Sequence, residues 1–151
     1  MTLVVKEHKL LAPYTVFKIG GPARFLISAS SRDDWRAAVR FAAEKNLPWV
    51  VLGAGSNVLI SDAGFPGVVI HPIGGDIRIA GARVVIDAAV SMARVVAESL
   101  AHGLRGFEWA IGVPGTVGGS VCGNAGCFGR EVKDVLESAE VLDARTGEVG
   151  E

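Results

Sequence analysis

Charge of either sign is scarce in this chain: 15 Lys or Arg and 16 Asp or Glu among 151 residues leave a net charge of -1. The two signs are interspersed, so no basic stripe for nucleic acid or an anionic membrane surface is visible, and small molecules are the expected ligands. Cysteine is scarcer still. Cys122 and Cys127 stand in a C-x4-C spacing rather than the C-x-x-C of zinc and thioredoxin-like sites, and read as two reduced, small hydrophobic residues. The three histidines, His8, His71 and His102, are scattered among no matching Cys or acid ligands, which favours surface or structural roles over a metal site. No apolar run approaches membrane-spanning length. The triplet Leu3-Val4-Val5 gives way at once to charges and lacks the apolar region of a secretory leader, so the default address is cytoplasmic.

Apolar residues and glycine are what the chain has in plenty. Half the residues are apolar and 21% are charged, which excludes a disordered chain and leaves some apolar surface to face a ligand or a partner. The length suits one domain, or two small lobes sharing one ligand. Glycine concentrates between Gly112 and Gly129, where seven glycines (Gly112, Gly115, Gly118, Gly119, Gly123, Gly126 and Gly129) fall within 18 residues. That density lowers stability unless something needs a close backbone approach.

The order of elements follows from periodicity and breakers. Leu11 to Phe17 reads as extended around Pro13, and Arg24 to Ser28 as a short strand. Ser31 with Asp34 forms a capping box for a helix whose apolar stripe is Trp35, Ala38, Val39, Ala42 and Ala43, ended by Asn46 and Pro48. Trp49-Val50-Val51-Leu52 is a continuous apolar run, expected of a parallel strand buried on both faces, so Arg24 to Leu52 reads as a β-α-β unit. Val58 to Ile60 and Val68 to Ile70 read as further strands. Past Gly74-Gly75, a hairpin turns over Gly81-Ala82 and a second helix runs from its cap at Ser91 to a stop at Gly103. Val135 to Asp143 is strand-like, Arg145-Thr146-Gly147 a turn, and the residues after it the start of a return strand. The expectation is of two lobes, residues 1–73 and 74–151, at the front of a longer protein.

Two loops carry the chemistry. Gly53-Ala54-Gly55-Ser56-Asn57 directly follows the apolar strand, where ligands collect in α/β sheets, and its amides can converge on an anion with Ser56 and Asn57 as added donors. The next residues, Val58-Leu59-Ile60, read as a strand rather than a helix, so this is not a Rossmann fingerprint. Neither glycine cluster ends in Gly-Lys-Ser/Thr, so neither is a P-loop. Alone, the loop is equally a tight structural turn or a phosphate cradle. The second cluster, in which Pro114 fixes a bend while glycines let the main chain lie against a flat ring, tips the balance to an extended, phosphate-bearing ligand.

Five motifs then recur in order: Pro13-x-Thr15-x-Phe17-x-Ile19-Gly20-Gly21-Pro22-Ala23; Leu52-Gly53-x-Gly55-Ser56-Asn57-x-Leu59; Gly103-Leu104-x-Gly106-x-Glu108; Gly112-x-Pro114-Gly115-Thr116-Val117-Gly118-Gly119; and Asn124-Ala125-Gly126. Together the chain resembles the N-terminal half of the bacterial UDP-N-acetylenolpyruvoylglucosamine reductases (UDP-N-acetylmuramate dehydrogenases). These belong to the vanillyl-alcohol oxidase/p-cresol methylhydroxylase-type flavoproteins. The resemblance implies an α+β, two-lobed FAD-binding domain of the p-cresol methylhydroxylase type, with the C-terminal substrate domain missing. It implies noncovalent FAD between the lobes, NADPH as reductant, and a UDP-sugar enolpyruvyl substrate reduced to UDP-N-acetylmuramate for peptidoglycan. By carry-over, Gly53, Ala54, Gly55, Ser56 and Asn57 bind the pyrophosphate, and Val58 and Leu59 belong to the same cofactor site. Gly112, Val113, Pro114, Gly115, Thr116, Gly118 and Gly119, with Asn124, Ala125 and Gly126, line the flavin and its phosphates, Asn124 bonding the ring's edge. A β-branched residue at Gly55 or Gly119 is expected to fill space the cofactor needs.

The chain departs from the family at Val113, Gly123 and Cys127-Phe128, where members carry Ile, Met and Ala-Tyr. Phe128 lacks the hydroxyl donor of Tyr. The family's Tyr-Arg-x-Ser motif, its serine acid and its late glutamate have no counterpart here, so no catalytic residue is carried over, and the chain alone is expected to bind FAD weakly and turn over little or nothing. Glu108 and Glu131 are the acids nearest the flavin motifs, Glu108 reading as a structural hydrogen-bonder and Arg105 and Arg130 as solvated charges. Two other readings fit less of the sequence: the FAD domain of another oxidase or dehydrogenase of the superfamily, and a non-catalytic anion- or nucleotide-binding module.

Overall fold

The computed structural model describes residues 3–151; Met1 and Thr2, which precede the triplet read against a leader, lie outside the described residues. The chain divides into two compact units, one running to Ile73 and including Glu140–Glu151, the other Gly74–Ala139.

The first unit contains β1 (Val5–Leu10), β2 (Pro22–Ala29), α1 (Arg32–Glu44), β3 (Trp49–Val51) and β4 (Phe65–Pro72). Its sheet runs in the order β1-β2-β4-β3, with β1 antiparallel to β2, and with β2, β4 and β3 parallel. Successive side chains of a strand point to opposite faces. Phe25, Ile27 and Ala29 of β2 and Val68 and Ile70 of β4 therefore meet Ala38, Val39 and Ala42 of α1. Leu26 and Val69 face the other way, into a second cluster with Leu11 and Leu52. Burying each of these larger side chains contributes about 1.5–3 kcal/mol before entropy is counted.

Helix α1 forms as the sequence indicates. Ser31 Oγ accepts the Asp34 amide at 3.2 Å and Asp34 Oδ2 accepts the Ser31 amide at 3.1 Å. The bonds to Asp34, the Ser30 amide foremost, hold its carboxyl below the usual carboxylate range. At the other end Asn46 takes φ 48, and the Leu47 and Asn46 amides close onto the Ala42 and Ala43 carbonyls, both at 3.0 Å. This is the Schellman arrangement, with Asn in place of Gly.

Three expectations fail here for identifiable reasons. β3 is parallel and follows the crossover helix, but it lies at the sheet edge, and Trp49, Val50 and Val51 are 41%, 41% and 42% exposed. The strands covered on both faces are β2 and β4. The segment after β1 is a 3-10 turn over Ala12–Tyr14, because Pro13 sits at the start of a helical turn, where its fixed φ is tolerated and its missing N–H costs nothing. Residues 58–60 form no strand; Val58 and Ile60 instead pack their side chains on the second cluster.

The second unit begins with the antiparallel hairpin β5 (Ile77–Ala80) and β6 (Arg83–Ile86), continues through α2 (Met92–Ala101) and α3 (Val117–Cys122), and ends in the short pair β7 (Gly126–Cys127) and β8 (Arg130–Glu131). Met92, Val96, Trp109, Ala110 and Val132 form its core. Ser91 caps α2 and Thr116 caps α3 through their hydroxyls. Both helices close by the same Schellman pattern, with Gly103 at φ 68 and Asn124 at φ 43.

The strand expected over Val135 to Asp143 shrinks to β9 (Val141–Leu142), because the Val135 and Leu136 amides turn back to the Val132 carbonyl at 3.0 and 2.9 Å. β9 pairs with β10 (Val149–Gly150) across the expected turn. This closing hairpin, read from sequence as part of the second lobe, packs Leu142 and Ala144 on the helix side of the first unit, where Arg36 Nε also donates to the Gly147 carbonyl at 3.1 Å. No helix among the described residues is long and apolar enough to cross a membrane.

Candidate functional site

The first glycine loop leaves the sheet at Leu52, whose amide still pairs with the Ile70 carbonyl at 2.9 Å. From there the pairing of amides in the sheet ends. Among the described residues, apart from a turn over Ser56–Asn57, no amide from Gly53 to Leu59 finds a close backbone partner, and neither Ser56 nor Asn57 makes a side-chain hydrogen bond. Unpaired donors cost free energy when buried, and this row lies at a half-exposed surface beyond the carboxyl end of β3, where an anion can take them. Leu59, carried over as part of the same site, is 77% exposed.

The loop is held from the side by the Pro13-to-Ile19 motif. The Val16 amide donates to the Gly55 carbonyl at 3.1 Å. Gly55 has φ +65, and a Cβ there would lie 2.2 Å from the Tyr14 carbonyl oxygen and 2.7 Å from Thr15 Cα. Glycine at this position is therefore demanded by the chain itself, independently of any cofactor. Thr15 is 2% exposed, its hydroxyl 2.9 Å from the Ile19 carbonyl oxygen, and that bond fixes the turn pressed against the loop. A cavity of about 230 Å3 opens beside the loop and is lined in part by Tyr14, Lys18, Gly53, Ala54 and His71.

In the second unit, the structure brings Gly112 to Gly119 together with Asn124 to Gly126, through the Ala125 amide donating to the Ser120 carbonyl at 2.8 Å. The first amides of α3 are already used: Val117 donates to the Val90 carbonyl at 2.8 Å, Gly118 to Ala88 at 2.9 Å and Gly119 to Thr116 Oγ1 at 3.4 Å. They offer no free cradle for a phosphate. Gly118 is also required internally, since its Cβ would meet that of Ala88 at 2.9 Å. Gly112 differs. It has no left-handed φ and nothing within 4 Å of an added Cβ, so nothing in the chain accounts for it.

Asn124 has a structural role. Its Nδ2 donates to Glu131 Oε2 at 2.9 Å and its Oδ1 accepts the Lys133 amide at 3.0 Å. Lys133, ion-paired with Glu131, and Asn124 together lower the Glu131 carboxyl below its usual range, while Glu131 raises Lys133. Glu108 is exposed but bonded locally: backbone amides, its own first and that of Gly106 at 2.7 Å, depress its carboxyl. Neither acid is poised to give up a proton near neutrality. Phe128 is 82% exposed at φ 53 in the β7–β8 turn, and Cys122 and Cys127 are both free thiols. Trp109 keeps its indole N–H buried without a partner.

Sequence reasoning passed over Lys18 and read His71 as a surface or structural residue. A signal was present for His71, since it lies two residues after Val69 in β4 and so shares the sheet face that carries Leu52 and the loop.

A model of the FAD binding domain family matches residues 23–151. The UDP-N-acetylenolpyruvoylglucosamine reductase of Caldanaerobacter subterraneus subsp. tengcongensis is 38% identical over 146 residues, covering 93% of this chain and 48% of that protein. The enzyme of the same name from Enterococcus faecalis is 41% identical over 143 residues, covering 94% of this chain and 47% of its own length. The crystal structure of UDP-N-acetylenolpyruvylglucosamine reductase from Thermus caldophilus superposes with a TM-score of 0.80 at 33% identity, covering 99% of this chain and 52% of that one. The chain thus spans about half the length of the relatives it matches.

Proposed function

Because the chain belongs to the FAD binding domain family, we propose that it is the FAD-holding portion of a UDP-N-acetylenolpyruvoylglucosamine reductase, an NADPH-dependent oxidoreductase of peptidoglycan synthesis. The observation that carries the reading is the row of amides from Gly53 to Leu59, most without a close chain partner, at the carboxyl end of a parallel strand. These residues, with the Ser56 hydroxyl and the Asn57 amide, are assigned the pyrophosphate. Gly112 to Thr116, with Gly118 and Gly119, are assigned the flavin portion, and Gly112 supports this because its missing side chain has no internal explanation. Asn124, Ala125 and Gly126 are assigned to the same portion chiefly as a scaffold, since the Asn124 side chain is committed to Glu131 and Lys133.

The chemistry that bound FAD supplies is two-electron transfer from NADPH to the enolpyruvyl double bond of the UDP-sugar. This chain's contribution is to bind and orient. The proton needed at the neighbouring carbon is not assigned to Glu108 or Glu131, because both carboxyls are held in their ionised form by internal hydrogen bonds. A UDP-linked substrate and NADPH are consistent with work in the cytoplasm.

The test is direct. Titrate purified chain with FAD, pass it through gel filtration and record the visible spectrum. A retained flavin band with a perturbed envelope is expected; a folded sample that neither retains nor perturbs FAD overturns the proposal.

A further inference from the structure

The cavity beside the first loop has chemistry of its own. At about 230 Å3 it is smaller than the roughly 300–1,000 Å3 of pockets that take a whole ligand, so it suits one polar portion of a larger molecule. Donors line it and carboxylates do not: Lys18, His71, Tyr14 and the Gly53 and Ala54 backbone are there, with no Asp or Glu. His71 Nδ1 lies 2.7 Å from the Leu52 carbonyl oxygen. A carbonyl only accepts, so Nδ1 carries the proton, and Nε2 has no partner among the described residues. In the neutral ring Nε2 presents a lone pair; in the protonated ring it presents a donor. The Tyr14 ring stands edge-on to the imidazole at 5.0 Å and keeps it in place. Lys18 sits at φ 58, an uncommon conformation for a residue with a Cβ, and its Nζ uses one weak contact, 3.4 Å to the Pro13 carbonyl, leaving its other protons free.

We propose that this cavity is a diphosphate subsite in which Lys18 and the protonated form of His71 supplement the amides of loop 53–59. The proposal rests on the flavin reading above and adds to it two residues outside the glycine clusters. It predicts a property that the loop amides alone do not confer, since amides do not titrate. An anion against Nε2 favours the imidazolium, so binding of the diphosphate is coupled to proton uptake by the ring and strengthens as pH falls. The groups facing His71 are Tyr14, Lys18 and the Leu52 carbonyl; no acid competes for its proton.

The experiment measures affinity of the full chain for FAD, NADPH and riboflavin by calorimetry between pH 5.5 and 8, with inorganic pyrophosphate titrated separately under NMR. FAD affinity is expected to rise about tenfold toward the acid end, while riboflavin, which lacks phosphate, shows no such trend. His71→Asn keeps an amide donor for the Leu52 carbonyl and removes the Nε2 position; it should flatten the FAD profile and leave riboflavin binding as it was. Lys18→Met should weaken FAD about tenfold at every pH. Pyrophosphate should shift the His71 ring signals and the Gly53 amide. The same His71 dependence with NADPH in place of FAD assigns the subsite to the nicotinamide nucleotide. Identical pH profiles for FAD in the wild type and His71→Asn, or pyrophosphate that moves neither signal, overturn the subsite while leaving FAD binding intact. A chain that binds no FAD but shows the pyrophosphate response overturns the flavin reading and leaves the subsite standing.

Discussion

Adding one methyl group to Gly55 places a Cβ 2.2 Å from the Tyr14 carbonyl oxygen at a φ of +65, and neither partner is the far end of a side chain that can swing away. Gly55→Ala should therefore lower the unfolding free energy by at least about 2 kcal/mol, read from urea denaturation. The same methyl on Gly112 meets nothing within 4 Å and needs no unusual φ. Gly112→Ala should change stability by less than about 0.5 kcal/mol yet weaken FAD about tenfold, because the methyl intrudes on a ligand rather than on the chain. Comparable FAD affinity for Gly112→Ala and wild type would remove Gly112 from the site. The pair separates two causes that glycine density in a sequence merges. Composition says only that backbone must come close to something, and at Gly55 and Gly118 that something is Tyr14 and Ala88.

Helix ends are where local sequence speaks most plainly, and two predictions belong there. Ser31→Ala deletes one half of the capping box and should cost about 1 kcal/mol. Its partner Asp34 has a depressed folded-state pKa, so its stabilising bonds are complete above the unfolded value near 3.9 and are lost as pH falls through the lower folded value. Asp34→Asn should flatten that acid limb of a stability–pH curve. At the end of α3, Asn124 holds φ 43 and two side-chain bonds. Asn124→Gly keeps the backbone conformation and loses the bonds, whereas Asn124→Ala loses both and should melt lower, a difference of about 1 kcal/mol in thermal unfolding. The caps at Ser31 and Ser91, the stops at Asn46 and Gly103, the crossover helix and the β5–β6 and β9–β10 turns were legible because each is set by residues within a few positions. The exposure of β3 was not, since Trp49-Val50-Val51-Leu52 reads the same at a sheet's edge as at its centre, and only the pairing of β2 with β4 decides which. The role of Asn124 was hidden for a similar reason: its partners, Glu131 and Lys133, arrive through a hairpin rather than a helix repeat.

For the whole chain, the two compact units have separate cores, one built on Ile27 and Ile70, the other on Val96 and Trp109. Each unit carries one of the two glycine loops assigned to FAD, so ligand binding and unfolding are linked in a way that tests the assignment. A ligand at 100 times its dissociation constant stabilises the species that binds it by about 2.7 kcal/mol. If loop 53–59 and the Gly112 to Gly119 stretch both contact FAD, amide exchange should slow in both cores under that condition, at Ile27 and Ile70 and equally at Val96 and Trp109. Should only the first pair slow, FAD is held by the amides of loop 53–59 alone, and the second stretch is left with the internal roles already visible at Gly118 and Asn124. The Gly112→Ala variant sharpens the reading, because it should abolish the slowing at Val96 and Trp109 while sparing most of that at Ile27 and Ile70.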